Sequence, residues 1–321
     1  MSSDVVLFID ANQYLSLYGL TSGNRLLDSL EEQKSHIFVS AQIVDEVNRN
    51  KLRCAATFLS DKMRDIDQIR ILLPDHLLGI SASKRAEFVK IFADVLRAKT
   101  ELSTLADAAL SRISRSEDEV SQRLMGLFVQ APAPSGDEMQ RARARKERGN
   151  PPGKPTDPLG DQITWEQLLT HSKGSKRLWI ISNDYDYVTK HRKLVLLNPL
   201  LHQDLRIACG AEVSINCFSN LLDGIKDFGK NAGVKAEKLP TEEESTEIKK
   251  EIEALPPFGW STADESAAMA VARIAQVQRA RALFSGVGLS LVLAMSSPPR
   301  KARRVVGTMT FPIAVLRKRN E

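Results

Sequence analysis

Val5 to Ile9 is a run of five apolar residues with no period-two alternation. That is the pattern of a strand buried on both faces, as in the middle of a parallel sheet. The run stops at Asp10, Ala11 and Asn12. Leu26, Leu27 and Leu30 fall on one face of Asn24 to Lys34 and predict an amphipathic helix. His36 to Val39 predicts a short strand. Ser40 then suits the N-cap of a helix that turns Ile43, Val44 and Val47 inward and also carries Asp45, Glu46 and Asn50. Strand, helix, strand, helix in this order points to a parallel sheet with right-handed crossovers.

Helical spacing continues through Leu52 to Ile69, turns at Leu73-Pro74-Asp75, and resumes from Ser83 to Gln130, with no glycine before Gly126. These segments predict a helical insertion over about 52–148. Ala131 to Gly136 is a Pro-rich break, and Gly149-Asn150-Pro151-Pro152-Gly153 must be a loop. Asp161 opens a helix with an inner face of Ile163, Trp165, Leu168 and Leu169. Lys176 to Ile181 is a second compact apolar strand, ending in Ser182-Asn183-Asp184-Tyr185-Asp186-Tyr187. A short strand at Leu194–Leu197, a helix at Pro199–Ile207, a last strand at Glu212–Phe218 and a closing helix at Ser219–Phe228 complete the pattern. The aromatic residues Trp165, Trp179, Tyr185 and Tyr187 read as packing. From Ala236 the character changes: Thr241 to Ser245 reads as an acidic linker, Glu247 to Leu255 as a helical fragment, Asp264 to Phe284 as an Ala- and Arg-rich helix, and 289–311 as a hairpin. The expected organisation is an α/β domain over 1–235 and a linker with a small C-terminal extension over 236–321.

Composition narrows the function classes. The 321 residues are 42% hydrophobic, enough for a buried core, with a net charge of +5. The corresponding pI of about 9.0 tolerates a polyanionic partner. Cys54, Cys209 and Cys217 form no CxxC pair, which argues against a disulfide framework and for reduced thiols in the cytoplasm. The five histidines show no HExxH spacing. No apolar stretch reaches the roughly 20 residues of a membrane span, and the N-terminus lacks the basic start of a signal peptide. Arg141, Arg143, Arg145, Lys146, Arg148 and Lys154 form a basic run. Arg141, Arg145 and Arg148 share one helix face, so with Lys154 they are expected to bind nucleic-acid phosphates; the alternative is a solvated helix face.

Four acids occupy comparable places. Asp10 ends the first strand, Glu46 rides the helix after the second, Asp161 begins the helix after the Gly-rich loop, and Asp184 ends the strand of the second half, with Asp186 beside it. In open α/β sheets, ligands bind beyond the carboxyl ends of the strands. Carboxylates gathered without a cationic partner repel, and a hard divalent cation bound through oxygen is the usual resolution.

With these motifs the chain resembles a PIN-domain nuclease. The resemblance is carried by Phe8-Ile9-Asp10-Ala11-Asn12, Ile43-Val44-Asp45-Glu46-Val47, Gly160-Asp161-Gln162-Ile163-Thr164-Trp165 and Ile181-Ser182-Asn183-Asp184-Tyr185-Asp186-Tyr187. It covers roughly Val5 to Phe228 and looks like a larger branch with a helical insertion. Ala11 stands where the family usually has Thr. The resemblance implies a three-layer α/β/α fold around a parallel sheet and a metal-dependent endonuclease using Mg²⁺ or Mn²⁺. Asp10, Glu46, Asp161 and Asp184 would be the catalytic and metal-binding acids, Asp186 an auxiliary ligand, and Asn12, Ser182 and Asn183 the residues that orient them. RNA is the favoured substrate, single-stranded DNA the other, and an inhibitory protein is an expected partner. A structure-specific DNA nuclease and a non-cleaving module that binds nucleic acid or protein are the alternatives.

Overall fold

Two strands buried from end to end organise the fold. In the computed structural model, which describes residues 4–68, 82–153 and 158–255, β1 (Val5–Ile9) has all five residues buried, and β3 (Arg177–Ile181) all but the first. They pair in parallel, in the register Val5 with Arg177 through Ile9 with Ile181. β2 (Ile37–Phe38) adds to the other side of β1, and β6 (Ser214–Phe218) to the other side of β3. The sheet order is therefore β2-β1-β3-β6, all parallel. The unalternating apolar runs follow from this order, because the two central strands meet side chains on both faces.

Helices flank the sheet, as the expected α/β class requires. α1 (Ala11–Ser16) starts directly after β1 and leads through a 3₁₀ turn at Leu17–Gly19 into α2 (Gly23–Glu32). The strand-following helix α1 was not expected from the pattern. α3 (Ala41–Asp67) is one unbroken helix, capped by Ser40, whose hydroxyl accepts from the Ile43 N–H. The helical middle is present as α4 (Ala82–Ser114), α5 (Glu119–Phe128) and α6 (Gly136–Glu147). α5 is tied to α2 by Arg123, which donates to both Asp28 and Glu31. α7 (Gly160–His171) precedes β3, and α8 (Pro199–Cys209) and α9 (Leu221–Asn231) flank β6. Leu194–Leu197 is a strand, β5, but it pairs antiparallel with an unexpected strand, β4 (Val188–His191), in a separate hairpin. The turn expected at Leu73-Pro74-Asp75 and everything expected after Leu255 lie outside the described residues.

Packing runs past position 235. Thr241 to Ser245 is not a linker: Thr241 and Glu244 form a capping box that opens α10 (Glu242–Ala254). Ile248 on this helix is fully buried in the main core. Glu251 accepts from the backbone N–H groups of Thr21 and Ser22, and the Glu237 and Lys238 N–H groups donate to Glu32. The acidic composition that reads as a linker is an N-terminal turn rich in Glu, where carboxylates favour the helix dipole. Ile248→Ala is therefore expected to lower stability by about 2–5 kcal/mol, the usual cost of emptying a closed aliphatic site. Unchanged denaturant midpoints for this variant would separate α10 from the core.

Candidate functional site

The β1–β3 register places the first acid. Ile9 lies beside Ile181, so the next residues, Asp10 and Ser182, are also neighbours. The ladder continues one bond past each strand: the Asp10 N–H donates to the Ile181 carbonyl, and the Ser182 N–H to the Phe218 carbonyl. Asp10 stands at the N-cap position of α1, yet its side chain makes no cap bond to that helix. Its Oδ2 instead accepts from the Ser182 hydroxyl at 2.8 Å.

Ser182 reaches a second acid. Its Oγ accepts from the Asp184 N–H at 3.1 Å, while Asp184 Oδ1 accepts from the Asp186 N–H at 2.9 Å. The Asp184 carbonyl takes the N–H groups of Tyr187 and Val188, closing a tight turn. Asp186 is half-buried in that turn and Tyr185 is exposed.

Glu46 and Asp161 come from the helices. Ile43 and Val47 pack inward on α3, which leaves Glu46 partly covered and its neighbour Asp45 exposed. The start of α7 is held against α3 by a hydrogen bond between the Ser40 and Thr164 hydroxyls at 2.9 Å. The Gln42 side chain lies over Gly160, where a Cβ would displace its amide end. Asp161 follows at once, in the first turn of α7. Asp157, its competitor in the sequence, lies outside the described residues.

The four acids act on one another. Asp10 is 6% exposed. Its carboxyl is pushed up to about 7 by burial first and by the charge of Glu46 next, with Asp184 adding to the rise and the Ser182 hydroxyl opposing it. Glu46 is likewise pushed up to about 7, by burial first and then by Asp161, with Asp184 a smaller contributor and Arg49 opposing. Among the described residues neither Asp10 nor Glu46 has an ion-pair partner within 4.0 Å. No three acidic, histidine or cysteine side chains among those residues stand close enough together to hold a metal ion.

Tyr187 lies beneath them, and the sequence pattern assigns it only to packing. Its ring does pack, against Phe8 at 5.8 Å and Trp165 at 6.0 Å between centroids. Its hydroxyl, however, is buried without a hydrogen-bond partner among the described residues. Its ionisation is pushed far above the ordinary phenol value by burial first, then by the charges of Asp161, Asp10, Glu46 and Asp184. All four acids therefore act on one phenol. The amide oxygens of Asn12 and Asn183 are also buried without partners among those residues. Carboxylate and amide oxygens, with no sulfur or imidazole, are the donor set that suits a hard divalent cation.

The basic segment needs correction. Arg145 is 8% exposed and bound on several sides: to Glu166 and Asp204 at 2.8 Å, and to the Pro151 carbonyl at 2.9 Å. Arg141 donates to the other oxygen of Glu166 and to Thr170. Asp204 also accepts from the Trp165 indole. These arginines bracket α6, α7 and α8 together, because the buried Glu166 requires paired charge. Arg145 is not available to a phosphate. Arg148 lines the groove beside them with Lys173. Lys154 lies outside the described residues. Another cationic element is the β4–β5 hairpin that follows the Asp184 turn, whose exposed end carries Lys190 and His191 on β4 and Arg192 and Lys193 in the turn. The signal for it is present in the sequence, as four consecutive basic or titratable residues one strand beyond Asp184.

The raised carboxyl values define a pH test. Between about pH 4 and pH 7 the folded protein holds protons on Asp10 and Glu46 that the unfolded chain has released. Stability of the metal-free protein is therefore expected to fall as pH rises through this window and to level off above it. Asp10→Asn and Glu46→Gln should each flatten the fall, measured as melting temperature in chelator. An unchanged slope in both variants would mean that these carboxyls ionise freely.

Compared with family models, with curated proteins and with solved structures, the chain matches none.

Proposed function

We propose that this chain is a metal-dependent endonuclease of PIN-like type, acting on RNA in the cytoplasm. Asp10, Glu46, Asp161 and Asp184 would hold Mg²⁺ or Mn²⁺. The observation that carries the reading is the burial of Asp10 and Glu46 against further acids. Among the described residues no ion pair offsets them, and partnerless amide oxygens stand two residues after Asp10 and one before Asp184. Such an arrangement costs stability in an apo protein and is offset by a cation. When bound, the cation supplies positive charge against the phosphate and acidity to an attacking water.

The chain's own residues do the rest. Ser182 holds Asp10 and the Asp184 turn in fixed relation through one hydroxyl. Phe8, Trp165 and the Tyr187 ring exclude water below the acids. The Tyr187 hydroxyl keeps its proton at working pH, so it adds no further negative charge beneath the acids. The β4–β5 turn offers positive charge to the flanking phosphates of a single strand, with the hairpin base bonded directly to the Asp184 turn. The three cysteines, all free thiols, suit a reducing compartment.

Mn²⁺ is expected to raise the melting temperature of the wild type by mass action on the native state. It should also support cleavage of labelled RNA that EDTA abolishes. Asp10→Asn and Asp161→Asn should each remove at least about 10²-fold of the cleavage rate, the scale on which loss of one preorganised electrostatic group is felt. A Mn²⁺ shift without cleavage of RNA or single-stranded DNA would instead favour the non-cleaving binding module. No shift and no cleavage would refute the proposal.

Docking can be measured apart from cleavage. In an Asp10→Asn background, Lys190→Ala/Arg192→Ala/Lys193→Ala is expected to weaken binding of a single strand and to flatten the log–log salt slope by roughly 0.7 for each phosphate that the hairpin no longer neutralises. Arg148→Ala tests the expected basic face in the same assay. A slope carried by Arg148 and not by the hairpin would return the docking role to α6.

A further inference from the structure

Tyr185 is the one tyrosine that the fold leaves outside. Tyr14, Tyr18 and Tyr187 are buried, whereas Tyr185 is 77% exposed. The expectation that its ring packs, which Tyr187 meets, fails here. Its backbone is nevertheless held. Tyr185 stands at the corner of a turn in which the Asp184 carbonyl takes the N–H groups of Tyr187 and Val188, and Asp184 Oδ1 takes that of Asp186. The charge of Asp184 reaches Asp10 and Glu46, so this corner belongs to the rim of the acidic site. A flat ring is thus presented outward there, on a fixed support.

The surface that follows has matching chemistry. The Asn198 N–H donates to the Tyr187 carbonyl and Val188 pairs with Leu197, so the β4–β5 hairpin starts directly from this turn. Paired residues share a face, and faces alternate along each strand. Val188, Val195 and Leu197 take the face packed against the core. Thr189, His191, Leu194 and Leu196 share the other, and all four are exposed. Arg192 enters the hairpin turn at φ 55°, a conformation for which such turns usually take glycine or asparagine. A long cation kept at that position serves no contact that the turn itself needs.

An exposed ring, an apolar strand face and cations at its end are the parts of a single-strand platform, where bases stack on flat surface and phosphates meet positive charge. A duplex keeps its bases inside the stack and offers none to a ring without flipping it out. On the reading of the acids as a nuclease site, we propose that Tyr185 is a base-stacking residue: the site takes an unpaired nucleotide with its base on the Tyr185 ring, and the neighbouring strand follows the outer face of the β4–β5 hairpin. The ring, and not the charge, then selects unpaired strand over duplex.

The test uses the full chain carrying Asp10→Asn, titrated in Mn²⁺ with a labelled oligouridylate and with the same strand paired to its complement. Tyr185→Ala is expected to weaken single-strand binding by about 5- to 150-fold and to leave duplex binding as it was. The log–log salt slope should stay the same, because a ring neutralises no phosphate. Tyr185→Phe and Tyr185→Trp should each keep the affinity. Replacing one base after another by an abasic residue should locate a position at which Tyr185→Ala costs nothing further. The melting temperature should not change, since the side chain is already exposed. A protein that binds single strand whether or not Tyr185 is replaced would overturn the stacking role and leave the nuclease reading standing. Equal affinity for strand and duplex, a loss that neither Phe nor Trp rescues, or a changed salt slope would also overturn it. So would a lowered melting temperature, which would show that the ring packs within the fold. A wild type that neither binds nor cleaves nucleic acid would remove the nuclease reading and the stacking role together.

Discussion

The Ser182 hydroxyl is the hinge on which the carboxyl edge of the sheet depends. It donates to Asp10 Oδ2 and accepts from the Asp184 N–H, so it links the ends of two parallel strands through a single buried oxygen. That position exists only because β1 and β3 pair in one register. A shift of one residue would turn Asp10 to the opposite face and break the link. The unbroken apolar character of both strands leaves the register little freedom, because each residue from Val6 to Ile9 fills a fully enclosed position. The core therefore specifies the geometry of a polar site in which it takes no chemical part.

Around that link the protein accumulates charge of one sign. Burial and the neighbouring acids both oppose ionisation of Asp10 and Glu46, and the Tyr187 phenol feels all four carboxylates. A fold selected for stability alone would replace such groups with apolar ones, which is often neutral or stabilising. Elsewhere the same chain shows how it treats a buried charge of purely structural use. Glu166 is surrounded by Arg141 and Arg145, and Arg145 is in turn satisfied by Asp204 and a backbone carbonyl. Lys51 likewise donates to the hydroxyls of Ser116 and Ser121. Asp10 and Glu46 contrast with these balanced networks, since neither has an ion pair among the described residues.

The β4–β5 hairpin grows from the turn that holds Asp184 and carries its cations to solvent.

Much was legible in the amino-acid order alone. The buried strands, the Ser40 cap, the helical middle and the chain positions of Asp10, Glu46, Asp161 and Asp184 all follow from local rules: apolar run length, capping chemistry and helical spacing. Those rules act over a few residues and need no partner. What they could not decide was which distant groups meet. Arg145 and Glu166 are 21 positions apart, and nothing between them states that one neutralises the other. Thr241 to Ser245 has the composition of a linker and becomes a capped helix because Ile248 finds a place in the core. The Tyr187 ring behaves as its pattern suggests, while the environment of its hydroxyl is set by residues from four separate elements. Local sequence determined most of the elements and the acids they carry; tertiary packing decided which distant charges meet, as Arg145 meets Glu166, because electrostatic partners are chosen by distance in space and not along the chain.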